Sequence, residues 1–326
     1  EIDLVEEVAR IHGYDKIPED GRVPMRASSR SRQDRVVARV GRTLTATGFD
    51  EVVTASAVDE KTSAVFSPWS DADPICCDTP MLRGAALLRR SLIPSLLSVR
   101  RTNESLSNER IELFEVARVY LPISGALPVE ETMVALASGN GFFEVKGVLE
   151  AILERLGIQE QLEAADFESA FFRSGKGGEL SLAGERLGYL GEVSDTARKM
   201  FDLRGEVVVA EIRLGLLLQL ANLVPQASPL SSYPAVERDL NFEVQEEVRW
   251  AELAETVHRV AGDYVEAIEY LETYRDKERL GPGKKSLVLK VVLRKADGTL
   301  TGEEADDVRK RIEAACRDQH DAVLRA

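Results

Sequence analysis

The chain has 326 residues, 44% hydrophobic and 30% charged, with 42 basic against 56 acidic side chains and a formal net charge of −14. That length suits about two domains. The ordinary composition excludes a largely disordered chain, and no run approaches the ~20 consecutive apolar residues of a membrane span. Three cysteines, Cys76, Cys77 and Cys316, make no disulfide framework. With no secretory signal at the start, they lead us to expect a reducing, cytoplasmic setting and no membrane partner. The chain opens on Glu1 in mid-pattern, as a piece of something longer would.

Ile2, Val5, Val8 and Ala9 form one apolar stripe, and Gly13 and Pro18 end the helix they predict. Polar residues 19–31, with Gly, Pro and Ser, read as a linker. Val36, Val40 and Leu44 recur every four residues beside Val37 and predict a second helix, with Gly48 suited to its C-terminal cap. Phe49–Val58 is rich in Val and Thr and reads as a strand. We expect this helix-and-strand region to leave an apolar surface for a partner. Ser91 can cap a helix that tolerates Pro94 in its first turn. Ile111–Leu121 and Thr132–Ala137 read as antiparallel strands, and Val145, Leu149, Ile152 and Leu156 as a helix stopped by Gly157. Leu180–Leu182 and Arg186–Val193 flank a glycine turn and predict a hairpin. Val207–Ile212 is a β-branched strand, Leu214–Leu220 a short helix, and 222–234, with three prolines, a second linker.

The last segment is self-contained. Leu240, Phe242 and Val244 alternate; Trp250, Leu253, Val257 and Val260 have helical spacing; Val265–Tyr274 is a strand; Leu287, Leu289, Val291 and Leu293 alternate again. Thr301 and Glu304 make a capping box for a helix to about Cys316, and Ala322–Leu324 is a final strand. The order βαββαβ is the ferredoxin-like split unit.

Charge is unevenly spread. Arg22–Arg42 holds seven arginines against Asp34 alone, and Arg275–Lys295 holds eight basic residues against two acidic. Solvated faces often look this way. Three histidines lack partners at metal-ligand spacing, and Cys76-Cys77 cannot chelate zinc alone. There is no GxGxxG, GxxxxGK[ST] or GxSxG. Asp3, Glu6 and Glu7 share one helical face and offer hard oxygen donors suited to Mg²⁺, or acids that complement a helix N-terminus.

Several stretches in order carry a family likeness. DLVEEVARIHGYDKIP at the start, LRRSLIPSLLSVRRTN (Leu88–Asn103), LFEVARVY (Leu113–Tyr120), FFEVKGVLEAIL (Phe142–Leu153), YPAVERDLNFEV (Tyr233–Val244), KKSLVLKVVLR (Lys284–Arg294) and TLTGEEADDV (Thr299–Val308) resemble the C-terminal part of the bacterial phenylalanyl-tRNA synthetase β subunit. FFRSGKGGE (Phe171–Glu179) departs from that family's histidine-proline-glycine stretch, so no role is carried over there.

The resemblance implies an α+β chain in three parts. Residues 1–20 would be the tail of a winged-helix-like domain, 21–225 a class II synthetase-like antiparallel sheet with helices, and 231–326 a ferredoxin-like anticodon-binding domain. It implies a degenerate, non-catalytic core. ATP would be bound by a catalytic α subunit in an α₂β₂ heterotetramer, and tRNA(Phe) would be the nucleic-acid partner. The residues agree: Phe114-Glu115 stands where class II chemistry wants a phosphate-holding arginine, and Val207–Leu218 has one glycine and no GxGxxR. No catalytic residue is therefore assigned. The family's D-L-x-E-E motif, linked with Mg²⁺, stands as Asp3, Glu6 and Glu7, incomplete without an aspartate upstream. From the charge pattern, Arg275, Lys277, Arg279, Lys284 and Lys285 are the tRNA-binding candidates, with Tyr270 and Tyr274 as stacking faces. The alternatives are an active class II synthetase-like enzyme and a small-molecule sensor built on the ferredoxin-like unit.

Overall fold

The computed structural model describes residues 2–21, 25, 27–80, 82–225, 227 and 230–325. The chain divides into two compact units, Glu1–Pro225 and Gln226–Ala326.

The first unit begins with α1 (Ile2–His12), which buries none of its residues. In α2 (Arg32–Ala46), Ser31 and Asp34 complete a capping box. After the short α3 (Glu60–Val65), helices α4 (Ile93–Ser105), α5 (Phe142–Arg155) and, beyond the short α6 (Asp195–Met200), α7 (Leu214–Leu220) pack on a seven-stranded sheet. Its strands are β1 (Asp50–Glu51), β4 (Leu113–Leu121), β5 (Val129–Ser138), β6 (Glu163–Asp166), β7 (Phe172–Leu182), β8 (Glu185–Val193) and β9 (Val208–Arg213). Their order is β1-β4-β5-β9-β8-β7-β6, antiparallel except where β1 meets β4. The β7–β8 turn places Ala183 and Gly184 at φ 53° and 76°, the mirror-image turn whose twist matches a hairpin.

Strand alternation sends side chains to both faces, and both are covered. Phe114, Val134, Leu136, Leu190, Ala210 and Ile212 pack against α2, α5 and α7. Met133, Ala135, Tyr189 and Val209 face α4 and a segment carrying Phe66 and Trp69. The expected partner surface on α2 is corrected here: Val36, Val40, Leu44 and Phe49 are buried and Val37 is half-buried in this unit's own core. The predicted strand Phe49–Val58 is also only two fragments, β1 and β2 (Ala57–Val58), the second paired with β3 (Leu87–Leu88) apart from the main sheet. After Val52 donates to the Phe114 carbonyl at 2.9 Å, the chain leaves the sheet edge, and the Thr54 amide turns to the Glu115 carboxylate at 3.0 Å.

The basic stretch after the first linker is partly structural. The Arg32 guanidinium donates to the carbonyls of Leu218 (3.0 Å) and Ala221 (2.6 Å), and Arg39 to those of Arg155 (3.2 Å) and Leu223 (3.3 Å). Cations thus sit on the unpaired carbonyls at the ends of α5 and α7. Arg22 and Arg26 of that stretch lie outside the described residues.

The second unit is a ferredoxin fold. Strands β10 (Val236–Gln245), β11 (Val265–Tyr274), β12 (Lys284–Leu293) and β13 (Val323–Leu324) form an antiparallel sheet ordered β11-β12-β10-β13. Helices α8 (Trp250–Ala261) and α9 (Gly302–His320) cover one face. There Leu240, Phe242 and Val244 meet Leu287, Leu289, Val291 and Leu293 above Leu253, Val257, Val308 and Ile312. Thr301 and Glu304 form the expected capping box.

Candidate functional site

The five basic candidates surround the β11–β12 loop and differ sharply in availability. Arg275 forms a forked pair with Glu246, its Nη2 donating at 2.7 Å and its Nε at 3.0 Å, and this contact holds the Glu246 carboxyl below its ordinary range. Lys284 is 2.7 Å from Glu243 on the neighbouring strand. Lys285 lies on the covered side of β12, only 8% exposed, and its ammonium donates to the Glu246 carbonyl at 2.6 Å. Desolvation draws its pKa below the usual lysine value. Arg279 is exposed, with Asp276 at 3.7 Å, and Lys277 is exposed. Neither tyrosine stands free. The Tyr274 hydroxyl donates to Asp276 at 2.7 Å, and Tyr270 packs edge-on against Trp250, ring centres 5.4 Å apart.

The first unit holds an arrangement that sequence reasoning missed. Strand register places Glu115, Ala135, Glu211 and Tyr189 in one row across β4, β5, β9 and β8, on the face beneath α4. Glu115 and Arg89 are 3.2 Å apart and 3% exposed each. Thr54 bridges them, accepting from Arg89 at 2.6 Å and donating to Glu115 at 2.7 Å, while Arg89 Nε donates to the Arg118 carbonyl at 3.0 Å. Glu211 is fully buried. It accepts from the Trp69 indole N–H and from the Leu92 amide, both at 2.5 Å.

Leu92 is the N-cap residue of α4 and supplies no side-chain cap; its own amide is satisfied by the Glu211 carboxylate of β9. Ser91, expected as the cap, instead accepts from the Ile93 amide at 3.2 Å. Desolvation raises the Glu211 pKa from 4.5 to about 7, against those donors. Arg213 lies over the Trp69 ring, 5.0 Å from its centre. Phe66, Phe171, Phe172, Phe167 and Tyr189 fill the rest of this face with ring contacts.

The family described as the phenylalanyl tRNA synthetase beta chain CLM domain matches residues 21–214, and the ferredoxin-fold anticodon binding domain matches 231–325. The chain belongs to the phenylalanyl-tRNA synthetase β-chain family. The phenylalanine–tRNA ligase beta subunit of Rhodopirellula baltica is 41% identical over 99% of this chain and 49% of its own length. That of Symbiobacterium thermophilum is 33% identical over 97% of this chain and 37% of its own. The chain thus spans half or less of these relatives. A crystal structure of pyrrolysyl-tRNA synthetase from Desulfitobacterium hafniense is similar with a TM-score of 0.46 and 19% identity, over 57% of this chain and 68% of that one.

Within this family the Asp3, Glu6 and Glu7 motif lies on exposed α1, where Glu7 accepts from Arg10 Nε at 3.1 Å. Among the described residues no group of three or more acidic, histidine or cysteine side chains converges to hold a metal. The three carboxylates are thus not gathered into one cluster on α1. No helix among the described residues is long and apolar enough to cross a membrane.

A signal for the Glu211 row exists in the sequence, though a faint one. VVVAEI is an apolar run interrupted by one acid, and a charge inside a two-sided strand demands a partner. Which partner it finds depends on Trp69, 142 residues away.

Proposed function

We propose that this chain forms the non-catalytic, tRNA-binding part of a phenylalanine–tRNA ligase β subunit. On this reading residues 21–225 scaffold a catalytic α subunit in an α₂β₂ assembly in the cytoplasm. Residues 231–326 hold the anticodon region of tRNA(Phe), and 1–20 end a winged-helix-like domain.

The observation that carries the non-catalytic reading is the Glu115–Ala135–Glu211–Tyr189 row. Adenylate chemistry places cations against phosphates at the point where charge develops. Here the middle of the sheet presents two buried carboxylates instead. Arg89 is neutralised by Glu115, and Arg213 lies over Trp69 with its Nε 3.1 Å from Glu131. A nucleotide at this face would meet packed aromatic rings and acidic side chains in place of free cations. ATP is accordingly assigned to the α subunit. Mg²⁺ at Asp3, Glu6 and Glu7 would need donors beyond these three.

RNA contact is assigned to the rim of the second unit. Lys277 and Arg279 reach phosphates directly, while Arg275 and Lys284 exchange Glu246 and Glu243 for RNA. Lys285 props the loop from inside. The unit as a whole carries 16 basic and 21 acidic residues from Ser231 to Ala326, so RNA has to approach a local positive edge.

ATP–pyrophosphate exchange with phenylalanine tests the catalytic half of this reading. The chain alone is expected to show none, and exchange is expected to need added α subunit. Phenylalanine-dependent exchange by the pure chain would overturn it.

A further inference from the structure

The β11–β12 loop alternates charge through Arg275, Asp276, Lys277, Glu278 and Arg279. Asp276 is half-buried, and the other four are exposed. An acid in this place repels RNA phosphates and weakens the edge that Lys277 and Arg279 present. Its hydrogen bonds show what it does instead. Oδ1 of its carboxylate accepts from the backbone amides of Glu278 at 2.9 Å and Arg279 at 3.2 Å. Oδ2 accepts from the Tyr274 hydroxyl at 2.7 Å. The Asp276 carbonyl accepts from the amide of buried Leu280 at 2.8 Å. One residue thereby closes 274–280 into a turn.

The Tyr274 hydroxyl, followed by the loop amides, holds the Asp276 carboxyl below its ordinary range, and the same contact raises the tyrosine's own pKa. The carboxylate therefore stays charged and the phenol stays protonated around neutral pH. The far end of the loop is tied separately, by the Glu246 amide donating to the Gly283 carbonyl at 2.9 Å. Loss of the Asp276 side chain would loosen the part that carries the cations and leave that tie in place. Long cationic side chains on a loose loop must give up conformational freedom when they meet phosphates. On a closed turn the backbone share of that loss is already met.

We propose that Asp276 is a positioning residue for RNA, its carboxylate holding Lys277, Arg279 and the Tyr274 ring in the arrangement that meets the nucleic acid. This rests on the assignment of RNA contact to the rim of the second unit, and names the residue that keeps that rim in order.

Charge and positioning predict different results when the acid is removed. If Asp276 were only a negative charge, every neutral replacement would strengthen RNA binding alike. As a positioning group, it makes Asn and Ala differ. The test measures binding of a tRNA(Phe) transcript to the full chain at low salt. Asp276→Asn keeps an oxygen for the Glu278 and Arg279 amides and loses the charge. It is expected to bind like the parent chain or up to ~3-fold tighter. Asp276→Ala loses both side-chain acceptors and is expected to bind ~10-fold more weakly. Amide hydrogen exchange at Glu278 and Arg279 should quicken in Asp276→Ala and not in Asp276→Asn, with the fold of both intact by circular dichroism. Equal affinity of the two variants, whether raised or lowered, overturns the proposal, and so does quickened exchange in Asp276→Ala without loss of affinity. The variant Lys277→Glu, Arg279→Glu separates this proposal from the reading beneath it. If that variant binds tRNA like the parent chain, RNA is removed from the rim and the proposal falls with it. If it loses binding while Asp276→Ala does not, the rim assignment stands and the positioning role alone is overturned.

Discussion

The two sheets of this chain handle charge in opposite ways. The first is covered on both faces, so the charged side chains in its middle had to find partners inside: Glu115 with Arg89, Glu211 with Trp69 and the Leu92 amide. The second is covered on one face, and its charges remain at the surface in pairs such as Lys284–Glu243 and Lys290–Glu237. A buried charge deprived of its partner is costly, whereas an exposed pair is screened and nearly neutral to stability. The central charges of the first sheet hold its shape, while the exposed pairs of the second can be exchanged for a partner's charges at little cost.

The comparison is broken most directly at the buried pair. Glu115→Ala leaves Arg89 uncompensated and should destabilise the first unit by about 3–5 kcal/mol. The double variant Arg89→Met, Glu115→Leu should recover much of that. The chain has two tryptophans, Trp69 and Trp250, one in each unit. In a Trp250→Phe background, denaturation followed by Trp69 fluorescence reads the first unit alone. An equal loss from the single and double variants would contradict the assignment.

Glu211 gives the next effect, with a definite sign. Burial lifts its pKa from 4.5 to about 7, so the folded chain keeps a proton that the unfolded chain releases. Stability contributed by this group is full below pH 4.5, falls between pH 4.5 and 7, and then levels off. The total change is roughly 3 kcal/mol. Glu211→Gln should flatten that part of the profile; a Trp69-monitored stability curve of unchanged slope in the variant would remove Glu211 as its source.

At the rim of the second unit the effects are smaller and functional. Lys277→Glu with Arg279→Glu should weaken tRNA binding severalfold at low salt. It should also lower the salt dependence by about one unit per lost phosphate contact. Phenylalanine activation by the assembled enzyme should be unchanged, and unaltered tRNA affinity at low salt would clear these residues of the role. Smallest of all, Lys284→Ala should cost the second unit less than ~1 kcal/mol, measured by Trp250 fluorescence.

The second unit was largely legible in the sequence because each of its elements repeats its own pattern. Phe242 and Leu289 sit in strict two-residue alternations, Leu253 and Val257 in a helical one, and Thr301 with Glu304 marks a helix start; all four apolar residues are core. The same alternation, carried two residues back from Leu287, already puts Lys285 on the covered face, but the run of cations around it hid that reading. Burial, decided by the packed domain, took Lys285 out of direct contact. In the first unit, α5 was legible by its spacing. The exposed β6, EAAD, was not, since it exists only through pairing with β7.

By itself the sequence determined the βαββαβ order of the second unit, the helical stripes of the first, the local charge excess after Arg275, and the ordered motifs that carry the family likeness. These are short-range properties, set by periodicity, capping and composition within a turn or a strand. Only the tertiary structure decided that the α2 stripe is spent on its own core. It also decided that Arg32 and Arg39 clamp helix ends, and that Glu115 and Glu211 close the middle of the first sheet. Each of those outcomes joins residues from 26 to 189 positions apart. The cost of burying a charge without a partner dictates that such partners exist, and chain topology dictates which ones they are.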